Sequence, residues 1–218
     1  MNIKSITFLQ ILSFVIVASL LCLSLVTGAT AVTTPTKKVF LSPIKGTFLQ
    51  SKNIKPLKRP FRSEGSFVYW PNKGLLWQTK KPVNSLKLFA NGGVFKIDEQ
   101  GELHKEAKLD NDFFLALFSG DKQQLAKFFT RKTLQDETDE HSSCLALTPK
   151  SDTMRSLFKQ INLCMKEMKF ISAQTQVTKT SVVMPSKIVL IEAEGNNTEI
   201  QLQLSSEQIS SQELAYFD

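Results

Sequence analysis

The chain has 218 residues, a formal net charge of +7 and two histidines. Its sequence lacks the motifs that mark the common enzyme classes. It contains neither a Gly-x-Ser-x-Gly elbow nor a glycine-rich phosphate loop, and neither His104 nor His141 lies at metal-ligand spacing. We interpret the acidic run from Asp136 to Glu140 as a solvated loop, with a weak cation site as the alternative. We therefore expect a protein without catalytic activity, cofactor or metal.

The N-terminus has the pattern of an export signal. Lys4 precedes an uncharged apolar run from Ile6 to Val26, and Ala29-Thr30-Ala31 follows. This order is typical of a secretory signal peptide, here residues 1–31. Because the apolar run is long enough to span a membrane, an uncleaved anchor is the alternative. Residues 32–38 are interpreted as a linker.

Export places Cys144 and Cys164 in a compartment where disulfides form. A hairpin centred on residue 154 would set these cysteines opposite each other, and the turn-forming segment from Pro149 to Arg155 brackets that centre. The sequence therefore predicts a disulfide, with two buried thiols as the alternative.

Positive charge is concentrated in the first part of the exported chain. Residues 32–87 carry twelve Lys or Arg and one acidic residue, a balance of +11, whereas residues 88–218 carry fourteen and nineteen, a balance of −5. A basic stretch suits anionic lipid headgroups or an acidic partner; the alternative is ordinary solvated strand edges. No nucleic-acid-reading module is recognisable, so nucleic acid is not an expected partner.

Short strand patterns dominate the region before residue 105. They are GTFLQSK, the hairpin GSFVYWPNKGLLWQTKKP, SLKLFA and GGVFKID, followed by a turn or short strand at Glu99 to His104. Their close spacing predicts an antiparallel meander. The hairpin is apolar on both faces, since side chains alternate along a strand. We expect Val68, Trp70 and Leu76, on one of these faces, to pack against the basic proline-containing loop or a partner.

Phenylalanine-rich helices interrupt the meander at about residues 111–130. The first is predicted after Asp110-Asn111-Asp112 and ends at Gly120, and its broad apolar face comprises Phe113, Phe114, Leu117 and Phe118. Asp121 is the predicted N-cap of a second helix, which carries Leu125, Phe128 and Phe129.

Strand patterns return after the helices and end before a polar tail, residues 205–218, expected to be frayed or loosely helical. The strand segments are CLALT, SLFKQINLC, MKFISAQTQVTKTSVVMP, SKIVLIEAEG and NNTEIQLQL. About ten strands predict an α+β fold in which a strongly curved antiparallel sheet forms an unclosed β-barrel. The helices either fill its interior as ordinary core or form a lid over a cavity for acyl chains.

Five short motifs between Gly46 and Leu204 resemble the LolA family of periplasmic outer-membrane lipoprotein carriers, and especially its LolA-like branch. They are Gly46-Thr-Phe-Leu-Gln50, the spacing from Gly65 to Trp77, the continuation to Pro82, Leu147-Thr-Pro-Lys150, and the Leu115-Phe118-Gly120-Asp121 pattern. The chain departs from the family at Pro71, where the family carries an arginine that tethers the lid. This departure also places the identity of the cargo in question, between lipoproteins and other lipids.

The resemblance implies a periplasmic carrier for acyl chains of lipoproteins or other lipids, and we expect this carrier to be a monomer. Its expected partners are an inner-membrane transporter and an outer-membrane acceptor. A membrane-tethered interaction or assembly module with a filled core is the alternative. The expected cavity residues are Phe48, Phe67, Tyr69, Leu75, Trp77, Leu86 and Leu88, and the expected lid residues are Phe113, Phe114, Leu117 and Phe118.

Overall fold

A computed structural model describes residues 42–106, 112–134, 142–171 and 179–218. The predicted signal segment and linker, His141, and the acidic run from Asp136 to Glu140 lie outside the described residues. Within the described ranges, no helix combines the length and the apolarity needed to cross a membrane.

The described strands form one antiparallel sheet in the order β6-β5-β4-β3-β2-β1-β11-β10-β9-β8-β7. They are β1 (Ile44–Asn53), β2 (Phe61–Trp70), β3 (Gly74–Lys81), β4 (Ser85–Ala90), β5 (Gly93–Ile97), β6 (Leu103–Lys105), β7 (Phe129–Leu134), β8 (Ser142–Pro149), β9 (Phe158–Ile171), β10 (Lys179–Glu192) and β11 (Asn197–Leu204). Within the described ranges, four short helices accompany them: α1 (Asp112–Ser119), α2 (Lys122–Phe128), α3 (Asp152–Leu157) and α4 (Ser211–Ala215). The predicted fold class, an unclosed antiparallel sheet with a short helical lid, is confirmed.

Several element boundaries differ from the sequence prediction. The predicted strand SLFKQINLC begins two residues later, at Phe158, and continues without a break past Cys164 to Ile171. Phe129 does not belong to the second helix: its backbone is extended and begins β7, while its N–H still bonds the Leu125 carbonyl. The predicted break at Pro185 is also wrong, because β10 continues through this residue with a register shift before Lys187. Proline lacks an N–H, so it interrupts the hydrogen-bond ladder locally without ending the strand.

The sheet buries apolar side chains on both faces. Consecutive residues of β2 and β3 divide between two clusters: Phe67 and Leu75 belong to the inner cluster, Val68 and Leu76 to the outer. This division follows from the two-residue period of a strand. The inner cluster includes residues of α1 and α2, so the helices cover the inner face.

The C-terminal strap, residues 205–218, covers the outer face. Ile209, Tyr216 and Phe217 pack against the outer cluster, and the Phe217 and Trp70 rings meet edge to face at 5.6 Å between centroids. Ion pairs join Lys45 to Glu213 at 2.9 Å and Lys73 to Asp218 at 2.7 Å. The expectation that the basic loop or a partner covers this face is therefore wrong: the chain's own tail does so.

Candidate functional site

The inner face of β1–β3 carries an aromatic layer formed by Phe48, Phe67, Tyr69 and Trp77. Phe48 stacks on Trp77 with ring centroids 3.8 Å apart, and Phe67 lies 6.3 Å from the same indole. Phe48 and Phe67 are fully buried, whereas Tyr69 and Trp77 are half-buried. These four predicted cavity residues thus lie together in one continuous apolar surface.

Glycines on neighbouring strands make room for this layer. Gly65 pairs with Phe48 across β1 and β2, and a Cβ at Gly65 would lie 2.8 Å from the Phe48 ring. Gly46 pairs in the same way with Phe67, whose ring occupies the space of its missing side chain. Aromatic rings lying over cross-strand glycines bury a large area where the sheet would otherwise be thin. Phe48 packs against both Gly65 and Trp77, so packing explains the spacing of these two residues.

Helix α1 lies over the aromatic layer and makes ring contacts with several strands. Phe118 lies 5.8 Å from Phe67 and 6.0 Å from Trp77, measured between centroids. Phe114 lies 5.6 Å from Phe89 of β4, and Phe113 lies 6.1 Å from Phe158 of β9. The four predicted lid residues thus take part in one apolar cluster, in which Leu117 is completely buried.

Gly120 ends α1 and connects it to α2. Its φ of +60° lies in the left-handed region, and its N–H donates to the Ala116 and Leu117 carbonyls at 3.1 and 3.3 Å. A side chain at this position would collide with Met165 of β9. Asp121 then begins α2 by accepting hydrogen bonds from two backbone N–H groups.

Two predicted cavity residues, Leu86 and Leu88, do not lie in this site. Both pack in the outer cluster, because Leu88 pairs with Leu76 and Leu86 with Gln78. The residue of β4 that faces the lid is Phe89, which pairs with Leu75. Hydrophobicity favoured the two leucines, but the cross-strand register decides which face each residue occupies.

Tyr69 lies where the aromatic layer meets the junction of α1 and α2. Its ring is 6.0 Å from that of Phe118. Burial, and secondarily the negative charge of Asp121, raises the pKa of Tyr69 to about 12. The phenol therefore remains neutral throughout the physiological range, as an apolar surface requires.

A cavity of about 330 Å³ lies between the β2–β3 turn and the first two helices. Its lining is mixed: Tyr69, Leu115 and Phe128 contribute apolar surface, and Lys73 and Lys127 contribute charge. Pro71 belongs to the adjacent turn, so this position provides no side-chain donor toward α1. A second cavity of about 350 Å³ lies on the outer face under the strap.

The structure also brings together groups that the sequence prediction separated. Asp98, Glu102 and His104 place their ligand-type atoms within 4.8 Å of one another, contrary to the prediction for His104. His104 bonds Asp98 at 2.6 Å, and backbone N–H groups of Gln100 and Glu102 donate to the same carboxylate. The hydrogen bond from His104, followed by the bond from Glu102, lowers the pKa of Asp98. The cluster lies in a turn that faces solvent.

Cys144 and Cys164 form a disulfide between β8 and β9. They are direct partners in the antiparallel register of these strands. The bond closes the hairpin that contains α3 and lies away from the aromatic layer, so its contribution concerns the stability of the sheet.

Comparison with protein families finds no matching family model, and no curated protein matches the sequence. Among solved structures, a LolA superfamily protein from Nitrosomonas europaea is similar at 8% identity and a TM-score of 0.42, over 83% of this chain and 91% of that one. A putative outer-membrane lipoprotein-sorting protein domain from Vibrio parahaemolyticus is similar at 10% identity and a TM-score of 0.40, over 81% and 91% of the two chains.

The MucA/MucB complex from Pseudomonas aeruginosa provides a third likeness, at 14% identity and a TM-score of 0.41. It covers 79% of this chain and 54% of that one, so the present chain spans about half the length of that relative. Because every TM-score here is below 0.5, these likenesses assign no function. They include a protein of the family that the sequence motifs resemble.

Proposed function

We propose that this protein is a non-enzymatic carrier that binds acyl chains between α1 and the aromatic layer. The observation that carries the proposal is the contact between α1 and the sheet. Phe118 meets Phe67, Tyr69 and Trp77 through ring surfaces alone. An acyl chain offers the same apolar chemistry and needs no polar partner.

The free energies of apolar burial are compatible with an acyl chain replacing the lid residues on the sheet. Releasing Phe113, Leu117 and Phe118 from the sheet costs about 1.5–3 kcal/mol each, or roughly 5–9 kcal/mol together. An acyl chain of about sixteen carbons gains roughly 12 kcal/mol when it leaves water. The net free energy therefore favours binding of the acyl chain, and it is small enough for the chain to be released to a membrane.

The geometry suggests how α1 moves. Gly120 separates α1 from α2 and has the backbone freedom of glycine, so rotation about this residue would lift α1 while α2 stays in place. Leu125 of α2 is completely buried, and α2 is followed directly by β7. The carrier would work in the periplasm, taking cargo from an inner-membrane transporter and passing it to an outer-membrane acceptor.

The close packing of the same layer favours one competing function. The 3.8 Å stacking of Phe48 on Trp77 and the burial of Leu117 are equally suited to a permanently filled core. In that case the protein would be a membrane-tethered interaction or assembly module. The two functions differ in whether an acyl chain can enter beneath α1.

Binding of a fluorescent fatty acid to the delipidated protein tests the proposal. We expect saturable binding that Phe114→Gln and Trp77→Gln weaken, because each introduces a polar group into the proposed site. Leu49→Gln is the matched control, since Leu49 neighbours Phe48 on β1 but is exposed on the opposite face. Circular dichroism verifies that each variant is folded. Binding no stronger than that of a well-packed control protein would exclude the carrier function.

A further inference from the structure

One end of the sheet carries an exposed surface, here called the basic rim, formed by residues 54–62 and 80–84. The β1–β2 and β3–β4 connections both turn at this end, because β1 to β4 are successive antiparallel neighbours. Hairpins two strands apart are separated by about 10 Å. The basic rim is therefore one surface although two separate segments form it.

Large apolar side chains are exposed on the basic rim. Leu57 is 60% exposed, Phe61 50% and Val83 71%. A hydrogen bond of 2.7 Å from the Leu57 N–H to the Ile54 carbonyl holds Leu57 in a tight turn. Exposure of three such residues at one end of the sheet is unexpected in a fold that buries both faces of its sheet, and it indicates an interaction surface.

Cations surround these apolar residues. Lys58, Arg59, Arg62 and Lys80 are exposed, and none of them forms an ion pair with another described residue. Among ion pairs between described residues, one involves a cation of the basic rim: Lys81 contacts Glu64 at 2.8 Å. The surface thus combines uncompensated positive charge with protruding apolar groups.

We propose that the basic rim docks the protein onto an anionic lipid bilayer. Apolar loop residues would enter the boundary between headgroups and acyl chains, while the flanking Lys and Arg contact the headgroups. Each cation near an anionic surface strengthens binding by about fivefold. The proposal goes beyond acyl-chain binding and does not depend on it, because the rim residues lie outside the α1 contact.

Flotation with vesicles tests this surface in the full exported chain. Vesicles of phosphatidylcholine mixed with phosphatidylglycerol are compared with vesicles of phosphatidylcholine alone, at low and high salt. We expect association with the anionic vesicles, weakened by salt. Lys58→Gln with Arg59→Gln should lower this association about 25-fold, since two cations are removed. Leu57→Ser with Val83→Ser should lower it as well.

Arg131→Gln with Lys132→Gln is the matched control, because it removes two exposed charges from β7, at the far edge of the sheet. We expect this pair to leave vesicle association nearly unchanged. Absence of association with anionic vesicles, or equal losses for the β7 pair and the rim pair, would overturn the proposal. Fatty-acid binding measured on the same variants should be unaffected, which separates failure of docking from failure of the carrier function.

Discussion

Phe48 and Trp77 stack with ring centroids 3.8 Å apart, and the Phe48 ring packs over Gly65, where a Cβ would lie 2.8 Å from that ring and 1.9 Å from a backbone carbonyl oxygen of β3. The three residues come from three adjacent strands, so one small residue permits an aromatic contact across them. This arrangement forms the base of the site beneath α1. It also makes the site sensitive to a change at a position that carries no functional group.

Gly65→Ala should destabilise the protein by about 1–3 kcal/mol, because the new methyl group would displace the Phe48 ring or the neighbouring strand. Denaturant unfolding measures this change. Ser63→Ala on the same strand is the control and should change the free energy of unfolding by less than about 0.5 kcal/mol. Equal effects of the two substitutions would contradict the packing role of Gly65.

Removal of the disulfide should lower the free energy of unfolding by about 2–5 kcal/mol. The test compares urea unfolding of the double variant, in which Cys144→Ala and Cys164→Ala are combined, with urea unfolding of the oxidised protein. Reduction of the unmodified protein should produce a similar loss, since both treatments remove the same cross-link. Unchanged urea midpoints would show that the β8–β9 hairpin is stable without it.

Tyr69 should titrate at about pH 12, compared with 10.0 for an ordinary tyrosine. Because its pKa is raised in the folded state, its contribution to stability is complete below pH 10 and is lost as pH rises toward 12. Phenolate absorbance measures the transition in a Tyr216→Phe background, which retains Tyr69 as the single tyrosine.

Asp121→Asn should lower the pKa of Tyr69 while preserving the N-cap of α2, because asparagine also accepts backbone hydrogen bonds. The remaining elevation should persist, since burial is the larger cause. A normal tyrosine titration in the folded protein would contradict the placement of Tyr69 against α1.

Phe217→Ala should weaken attachment of the strap and lower the free energy of unfolding by about 1–2 kcal/mol, because Phe217 is half-buried against the outer cluster. Ser211→Ala, on the exposed surface of α4, is the control. Thermal unfolding with fluorescence of the tryptophans follows the effect. Equal unfolding temperatures for the two variants would contradict packing of the strap on the sheet.

Acid should loosen the same strap. Burial alone would raise the pKa of Glu213, but hydrogen bonds from Ser210 and Lys45, with the Lys45 charge, outweigh it and lower the pKa. A lowered pKa stabilises the fold above the ordinary value of 4.5, and this stabilisation is lost as pH falls through the folded-state pKa. Glu213→Gln should therefore reduce the decline in stability measured by urea unfolding at acidic pH.

Local sequence patterns were sufficient to predict the antiparallel strands, the two-faced hairpin and the apolar face of α1. These features depend on local periods of two and 3.6 residues, which are visible in residues close together in the chain, such as the adjacent Phe67 and Val68 or Phe113 and Leu117 one helical turn apart. The hairpin centre between Cys144 and Cys164 is local in the same sense. Packing between distant segments is not encoded in such periods.

Which distant segments contact each other depends on the tertiary structure. Register between β3 and β4 placed Phe89, rather than Leu86 and Leu88, beneath the lid. The strap contacts β2 from more than a hundred residues away, and its apolar residues are too few and too dispersed to stand out in a polar tail. Long-range contacts of this kind depend on the shape of the assembled sheet, and the same sheet brings the two halves of the basic rim together.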